Sequence, residues 1–401
     1  MRIVIIGAGF AGMYAALSAA RLRDIKGVSP RELEIMLVAP EPTLVVRPRL
    51  YEPDPETLTA ALEPVLKAVD VVYVRGRAEA VDTSCRSVVV ATPGGDWSSI
   101  LYDRLIVATG SRLFRPSIPG LAEHAFSVDS LDDAAALDRH LQGLASRPAS
   151  EARNTVVVAG GGFTGIEAAT EMPARLHAVL GKDAATRVII VERNKVISPD
   201  MGAEARPVIE EALRQLNIKT RLGVGVAAID ETSVTLSDGE RIETATVIWA
   251  AGMRAAPFSA QVPGERDDFG RLTVDRELRV VGVPGVLATG DAAKAACDDE
   301  GNFALMSCQH ATRMGAFAGN NAAAELLGEA PAPYHQKAYV TCLDLGEAGA
   351  LFTRGWDRKV EHVGADAKRI KQEINTVWIY PPKPLRAAAL ASADPQRVTD
   401  L

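Results

Sequence analysis

Two glycine-rich segments of the chain have the residue types and the spacing of sites that bind a nucleotide diphosphate. They contain Gly7, Gly9 and Gly12 in the first segment and Gly160, Gly162 and Gly165 in the second. The first glycine of such a segment permits a tight turn, the second lets the backbone approach a pyrophosphate, and the third lets the following helix pack on the strand. Free N–H groups at the start of that helix bind phosphate. Two such segments predict a protein with two nucleotide sites.

Each glycine segment follows a strand pattern and precedes a helix pattern. The apolar runs at 3–6 and 156–158 suit strands that are buried on both faces, and helices are predicted at 13–22 and 166–180. We expect further cofactor contacts from residues inside these segments and at the small-residue ends of later strands. These are Phe10, Ala11, Phe163, Thr164, Ala108, Thr109, Gly110, Ala251 and Gly252.

The strand that follows the second glycine segment ends at Glu192. A carboxylate at this place accepts hydrogen bonds from both ribose hydroxyls of a dinucleotide and repels a 2′-phosphate. We therefore expect NADH to be preferred over NADPH. Arg193 follows directly and could accommodate that phosphate, so NADPH stays an alternative.

The order of strand and helix patterns predicts an α/β protein with two nested Rossmann-like dinucleotide-binding domains and a small C-terminal α+β domain. The first domain is predicted to be discontinuous, with residues 1–115 and 280–333, because the strand pattern at 285–291 returns to it. The second domain is predicted at 116–279 and the third at 334–401. A chain of 401 residues exceeds what one hydrophobic core usually organises.

The composition argues against several classes of function. A net charge of −7 without a sustained basic face argues against a nucleic-acid partner. No apolar stretch reaches the roughly 18 residues of a membrane-spanning helix, and membrane association is not expected. The four cysteines have no CxxC spacing, which argues against a metal site and fits a reducing, cytoplasmic location.

Several motifs together resemble the two-dinucleotide-binding-domain flavoprotein family, in order and over nearly the whole chain. Besides the first glycine segment, they are Val107-Ala108-Thr109-Gly110-Ser111, Trp249-Ala250-Ala251-Gly252-Met253-Arg254 and Ala288-Thr289-Gly290-Asp291-Ala292-Ala293. Within that family the chain is most similar to the type II NADH dehydrogenases and their soluble relatives. The resemblance implies an oxidoreductase with FAD at the first glycine segment and NADH at the second.

The resemblance also implies roles for individual residues. Asp291 is similar to the family aspartate that hydrogen-bonds the FAD ribityl chain, although aspartate is also a common helix N-cap. Glu41 could bind the adenosine ribose from a position slightly later than usual, or be a solvated loop carboxylate. Arg47 lies in a segment that aligns beside the flavin, where an arginine could stabilise negative charge on the reduced ring, or it is a solvated loop arginine. Glu167 resembles the family glutamate near the nicotinamide, or is a first-turn glutamate favoured by the helix dipole.

A helix predicted at 307–327 starts with a segment similar to the AQxAxQxG quinone-site signature of the family. Its N-terminal dipole is expected to face the flavin. Gln309, Ala311 and Gly315 match this signature. Cys308 replaces its first alanine, and Arg313 replaces its second glutamine. We therefore expect a small water-soluble quinone or a related acceptor, with Arg313 beside it. His310 could donate a proton there, or be a packing residue.

In the C-terminal region we do not expect a counterpart of the basic, apolar helix by which membrane-bound relatives attach. Its Ala-rich tail is expected to be a frayed terminus or an oligomer contact, which leaves a homodimer open. Trp356, Trp378 and Tyr380 could form the wall of an acceptor pocket or part of the core of the small domain.

Three functions remain open from the sequence. The first is FAD-dependent transfer of hydride from NADH and then of electrons to a quinone or another small acceptor. The second is sulfide or disulfide chemistry, which requires two cysteines at the flavin, and only Cys308 and Cys342 could meet through folding. The third is a non-enzymatic NADH sensor, which the same glycine segments would serve.

Overall fold

The structure is a computed structural model that describes residues 1–397. Two five-stranded parallel sheets and a three-stranded antiparallel sheet near the C-terminus organise these residues, together with two further three-stranded antiparallel sheets, three two-stranded sheets and the covering helices. The predicted α/β class with two Rossmann-like units is confirmed.

In chain order the strands are β1 (Arg2–Ile6), β2 (Glu34–Ala39), β3 (Thr43–Val45), β4 (Thr59–Ala61), β5 (Val72–Arg75), β6 (Arg77–Asp82), β7 (Ser87–Ala91), β8 (Trp97–Leu101), β9 (Arg104–Val107), β10 (Ser111–Leu113), β11 (Ala125–Phe126), β12 (Thr155–Ala159), β13 (Arg187–Glu192), β14 (Lys219–Leu222), β15 (Val226–Ile229), β16 (Ser233–Leu236), β17 (Arg241–Glu243), β18 (Thr246–Trp249), β19 (Met253–Ala255), β20 (Leu272–Thr273), β21 (Val286–Ala288), β22 (Ala293–Lys294), β23 (Val340–Asp344), β24 (Ala350–Arg354) and β25 (Lys359–Val363). The α-helices are α1 (Phe10–Ile25), α2 (Glu63–Ala68), α3 (Leu121–His124), α4 (Leu131–Gly143), α5 (Glu151–Asn154), α6 (Phe163–Leu180), α7 (Gly202–Gln215), α8 (Cys308–Leu327), α9 (Gly364–Glu373) and α10 (Arg386–Ser392).

The two strands that lead into the glycine segments lie at the centre of their sheets. The order of the first sheet is β21-β9-β1-β2-β5, and that of the second is β11-β18-β12-β13-β14. β1 and β12 consist mainly of Ile and Val and are buried, as expected for parallel strands covered on both faces. Both glycine segments therefore leave a sheet at the carboxyl ends of its strands, where open α/β sheets bind ligands.

Helices α1 and α6 begin within the glycine segments, at Phe10 and Phe163. The starts predicted at 13 and 166 were too late. Glycine has a poor helix propensity, but Gly12 and Gly165 pack directly on the turn that precedes them. This tertiary contact extends each helix back to the strand.

Helix α8 crosses α1 at very short range. A Cβ added at Gly315 would lie 2.3 Å from the backbone oxygen of Ala11, and one at Gly319 would lie 2.0 Å from that of Ala15. Only hydrogen fits at these two positions, so the helix backbones touch. The crossing fixes the start of α8 beside the carboxyl edge of the first sheet, where Gly290 approaches Ala11.

The C-terminal part contacts both nucleotide-binding units. β23, β24 and β25 form an antiparallel sheet on which α9 packs. Leu343 and Leu351 of this sheet are buried in the core of the second unit, whereas Tyr334 is buried in the core of the first. The C-terminal part therefore covers the junction between the two units.

The segment that contains α10 is ordered against the first unit. Ala389 and Leu390 are buried in the first core, and Arg386 pairs with Asp24 and Asp70. The expectation of a frayed tail is therefore wrong up to residue 397, because apolar packing and two ion pairs hold this segment. Among residues 1–397, no helix combines the length and the apolar composition that crossing a bilayer requires.

The chain connects the two nucleotide-binding units twice, and the two connecting segments lie side by side because β10 pairs with β19. Val262, Leu272 and Leu278 fall in the predicted second domain, yet they are buried in the first core. We therefore propose that the chain returns to the first domain before Val262 rather than at 280. The other predicted limits stay predictions.

Candidate active site

The first glycine segment forms a cradle that is packed on its inner side and open on its outer side. Gly7 has a φ of +110°, and a Cβ added there would lie 2.4 Å from the backbone oxygen of Ala108. A Cβ at Gly12 would lie 1.8 Å from the backbone oxygen of Gly7. At Gly9, which is exposed, an added Cβ meets no atom within 4 Å. The packing of the protein does not require a glycine there, which fits a phosphate group lying against Gly9.

The second glycine segment repeats this geometry. A Cβ at Gly160 would lie 3.0 Å from the backbone oxygen of Ala250, and one at Gly165 would lie 1.9 Å from that of Gly160. Gly162 is exposed, and its added Cβ meets no atom within 4 Å. The chain therefore has two separate cradles that fit a pyrophosphate.

Two neighbouring strands of the first sheet each lead into a Thr-Gly sequence. β9 leads into Ala108-Thr109-Gly110 and β21 leads into Thr289-Gly290, and the two strands are paired. The hydroxyls of Thr109 and Thr289 are buried without a hydrogen-bond partner in the protein. Buried hydroxyls normally have a partner, so these two can bind polar atoms of a group in the first cradle.

A chain of polar contacts joins Asp291 to Arg47. Ser111 Oγ donates to Asp291 Oδ2 at 2.5 Å, and the Arg47 guanidinium donates to the Ser111 backbone oxygen at 3.3 Å. Arg47 also donates to Asp129 Oδ1 at 2.5 Å. Burial raises the pKa of Asp291, while the Ser111 hydrogen bond and the Arg47 charge oppose the rise. The fold thus brings these two predicted residues together at the edge of the first sheet.

Glu192 lies at the end of β13, beside the second cradle. Its Oε2 accepts from the Gly161 backbone N–H at 2.7 Å, and its Oε1 accepts from the Asn194 backbone N–H at 2.8 Å. Oε1 also accepts from the Asn194 side-chain amide at 2.6 Å. These bonds fix the orientation of the carboxylate, and Oε2 keeps a lone pair that can accept from a ribose hydroxyl. Arg193 is exposed on the same turn.

Glu167 forms a buried ion pair with Lys371. Its Oε1 accepts from Lys371 Nζ at 2.7 Å and from the Asp344 backbone N–H at 3.0 Å. The side chains of Glu167 and Lys371 are only 5% and 6% exposed. Burial raises the pKa of Glu167 to about 7, against the lowering effect of Lys371. A carboxyl group that titrates near neutrality can supply and take up protons at physiological pH.

Sequence reasoning identified Glu167 and missed Lys371. The two residues are 204 positions apart, and α9 carries further basic residues that look equivalent in the sequence. The one available signal was that Lys371 falls on the same helix face as Ala367, which is buried.

The first turn of α8 places Gln309 and His310 against the C-terminal part. Gln309 Oε1 accepts from the Val340 backbone N–H at 3.5 Å. His310 is fully buried against the rings of Tyr339 and Trp356. Burial lowers the pKa of His310 to about 3, so the imidazole is neutral at physiological pH. This environment argues against His310 as a proton donor and for a packing role.

The three aromatic residues that were predicted to form the wall of an acceptor pocket or part of a core lie in three different environments. Trp356 stacks on Tyr339 with ring centroids 4.7 Å apart and packs on the first core. Trp378 is 39% exposed, and the Tyr380 hydroxyl accepts from Arg49 at 3.0 Å. The three side chains therefore do not form one wall.

Arg313 is bound to the protein's own backbone. Its guanidinium donates to the backbone oxygens of His335 at 3.0 Å and Arg397 at 2.9 Å, and it lies over the Phe317 ring. These contacts argue against a free charge that faces the acceptor. Arg313 instead ties α8 to the C-terminal segment.

The remaining predicted contact residues surround the cradles or lie near them. Ala11 is buried under Gly290, and Thr164 is exposed beside Gly162. Glu41 is exposed after β2 and pairs with Arg75. The others begin α1 or α6 or follow β18, and they are Phe10, Phe163, Ala251 and Gly252.

Comparison with known proteins places this arrangement in a family. Residues 1–315 match the family model for pyridine nucleotide-disulphide oxidoreductases. An NADH dehydrogenase-like protein of Mycobacterium tuberculosis is 47% identical over 398 residues, which cover 98% of each chain. The chain belongs to the pyridine nucleotide-disulphide oxidoreductase family.

Two further relatives extend the comparison. A demethylphylloquinone reductase of Synechocystis is 28% identical over 363 residues, which cover 88% of this chain and 86% of that one. The solved structure of NDH2 from Plasmodium falciparum in complex with NADH has a TM-score of 0.79 at 15% identity and covers 98% of this chain and 97% of that one.

Membership of the pyridine nucleotide-disulphide oxidoreductase family confirms the predicted family, the prediction of an enzyme, and FAD and NADH as cofactors. The two open cradles fit these two dinucleotides. The individual contact residues stay predictions.

Proposed function

We propose that the protein oxidises NADH and passes two electrons to a quinone or to a similar small acceptor. Bound FAD supplies a ring that accepts hydride and passes on electrons. The overall reaction, NADH + H⁺ + quinone → NAD⁺ + hydroquinone, consumes one proton. The observation that carries this proposal is the buried Glu167, a carboxyl group with a pKa of about 7 beside Lys371.

The residues of the chain have separate tasks in this reaction. Gly9 and Gly162 leave room for the two pyrophosphates, and Asp291 is oriented by Ser111 to bind the ribityl chain. Glu192 binds the ribose of NADH. These residues position the reacting rings, because hydride transfer depends mainly on proximity and orientation.

Glu167 is the proton donor in this reaction. Its protonated form releases a proton to the reduced acceptor, and the Lys371 ammonium stabilises the carboxylate that remains. The helix dipole of α8 offers partial positive charge at its start, where Ser307 caps the helix by accepting from the His310 backbone N–H at 3.3 Å. Support for quinone as the acceptor comes from the demethylphylloquinone reductase among the relatives.

Disulfide chemistry is a weaker candidate. All four cysteines are free, and burial raises the pKa of Cys308 to about 11 and that of Cys342 to about 12. Both groups are thiols rather than reactive thiolates at physiological pH.

Steady-state turnover with NADH separates the two functions. A short-chain quinone should be reduced by the wild-type protein and by Cys308→Ser at similar rates. A wild-type protein that leaves quinones unreduced but reduces a small disulfide, with that activity lost in Cys308→Ser, would sink the proposal.

A further inference from the structure

The carboxylate of Glu192 is held by three N–H groups of the protein. Oε1 accepts from the Asn194 backbone N–H at 2.8 Å and from the Asn194 side-chain amide at 2.6 Å. Oε2 accepts from the Gly161 backbone N–H at 2.7 Å. The stem of Glu192 is buried and packs on Gly161, since a Cβ added to that glycine would lie 3.0 Å from Glu192 Cβ. The carboxylate is therefore fixed in one orientation.

These bonds leave the carboxylate of Glu192 with room for one ribose hydroxyl rather than two. An ionised carboxylate oxygen accepts about two hydrogen bonds. Asn194 thus fills the acceptor positions of Oε1, and one position remains on Oε2. Strong selection of NADH relies on a carboxylate that is free to bind the ribose hydroxyls and to repel a 2′-phosphate. The second cradle has only part of that capacity.

The side chain of Asn194 serves Glu192 and not the protein core. The backbone oxygen of Asn194 accepts from the Gly223 backbone N–H at 2.9 Å, which anchors this turn to the end of β14. The residue is exposed, so its amide fills no packed position. A hydrogen bond that the amide donates to the carboxylate stabilises the negative charge and weakens its action on a nearby phosphate.

Two cations flank Asn194 in the chain. Arg193 and Lys195 are both exposed on the turn that follows β13. A basic side chain at the end of this strand binds the 2′-phosphate of NADPH, and a guanidinium does so through charge-assisted hydrogen bonds. The turn therefore combines a carboxylate of reduced capacity with two groups that favour a phosphate.

We propose that Asn194 is a specificity-determining residue that weakens the preference for NADH, so that the protein also accepts NADPH with Arg193 and Lys195 on its 2′-phosphate. The inference rests on the proposed oxidation of NADH and adds a second substrate to it. NADPH donates the same hydride and leaves as NADP⁺. Asn194 acts through the Glu192 carboxylate, which it positions and partly neutralises.

Asn194→Ala should strengthen the preference for NADH, the opposite of the effect expected for Glu192→Ala. The variant keeps the backbone N–H bond to Oε1, frees an acceptor position for a ribose hydroxyl and leaves more negative charge to repel a 2′-phosphate. We expect the ratio of the NADH and NADPH rate constants for anaerobic flavin reduction to rise about tenfold, the effect of one hydrogen bond to a charged group. Calorimetric titrations with NAD⁺ and NADP⁺ should show the same change in the ratio of Kd.

The double variant Arg193→Met, Lys195→Met tests the phosphate contacts. Its rate constant with NADPH should fall about fivefold more than that with NADH, the upper range for an exposed ion pair. Lys182→Met is the matched control, because Lys182 is an exposed lysine just beyond the end of α6, and the cradle lies at the start of that helix. The control should leave both rate constants unchanged. A ratio of two rate constants does not depend on the fraction of active protein, so a loss of stability alone does not change it.

An unchanged or lower ratio in Asn194→Ala would overturn the proposal, as would a wild-type flavin that NADPH does not bleach. Equal losses with both nucleotides in the double variant would refute the phosphate contacts. These measurements need no quinone, so they separate this inference from the proposed function. Flavin that both nucleotides bleach in a protein that reduces no quinone contradicts the proposed acceptor and supports the nucleotide assignment.

Discussion

At the scale of single residues, the glycines of each cradle have two different reasons to be glycine. Gly12 and Gly165 are required by the packing of helix on turn, whereas Gly9 and Gly162 are required only by what binds there. The sequence could predict all of them, because the spacing is local. It could not predict Lys371 as the partner of Glu167, since that contact forms only when the C-terminal sheet, on which α9 packs, meets α6.

Gly9→Val and Gly162→Val should therefore fold and each lose one nucleotide. Both glycines have negative φ, −78° and −83°, so a valine backbone fits. Gly9→Val should be purified without flavin, and Gly162→Val should keep FAD that NADH reduces poorly. Absorption spectra and NADH titrations measure both effects. A Gly9→Val protein with a full complement of FAD would show that the first cradle is not the FAD site.

Glu192→Ala should reduce the preference for NADH over NADPH. The change removes the carboxylate that repels a 2′-phosphate and leaves the exposed Arg193 to attract it. The ratio of kcat/KM for the two nucleotides measures the effect, with Glu192→Gln as a control that keeps an acceptor for the Gly161 N–H. A wild-type protein that prefers NADPH would contradict the assignment of Glu192.

At the scale of elements, the crossing of α1 and α8 determines where the first turn of α8 lies. The sequence signature pointed to Gly315 as part of a quinone site, but the structural reason for this glycine is its contact with Ala11. A glycine of a family signature can thus be required by helix packing as well as by ligand binding. Burial of Arg313 against the C-terminal segment was unpredictable for a similar reason, because its partners lie far along the chain.

Gly319→Val should push α8 away from α1. The added side chain meets the Ala15 backbone, so the free energy of unfolding should fall by about 1–3 kcal/mol, as for other overpacked sites. Chemical denaturation measures this value. Gly143→Ala, at the open end of α4, should leave stability unchanged or slightly higher. Equal stabilities for both variants would mean that the helices are not in backbone contact.

The Glu167–Lys371 pair should couple α6 to α9. Glu167→Ala and Lys371→Met should each cost about 3–5 kcal/mol, since either leaves a buried charge unpaired, and the double variant should cost less than the sum. The folded pKa of Glu167 is raised above 4.5, so its contribution to stability is full below that pH and is lost as the pH rises through about 7. Denaturation across this range should show a decline that Glu167→Gln removes. Additive costs would contradict a direct pair.

At the scale of the whole molecule, two dinucleotide cradles meet a C-terminal part that buries residues in both nucleotide units. The α/β class and the cofactors followed from local motifs, because strands, turns and glycine spacing are encoded within short segments. The buried Glu167–Lys371 pair joins two segments that are far apart in the chain, so no local pattern could reveal it. Cytoplasmic location and a homodimer stay predictions.

In the proposed reaction, NADH in the second cradle reduces FAD in the first, and a quinone then removes the electrons. Anaerobic rapid mixing of the purified protein with one equivalent of NADH, followed by a short-chain quinone, tests it most directly. We expect the visible flavin absorption to disappear with NADH and to return with the quinone, each at least as fast as turnover. Protein that contains no flavin, or flavin that NADH does not bleach, would contradict the proposed reaction.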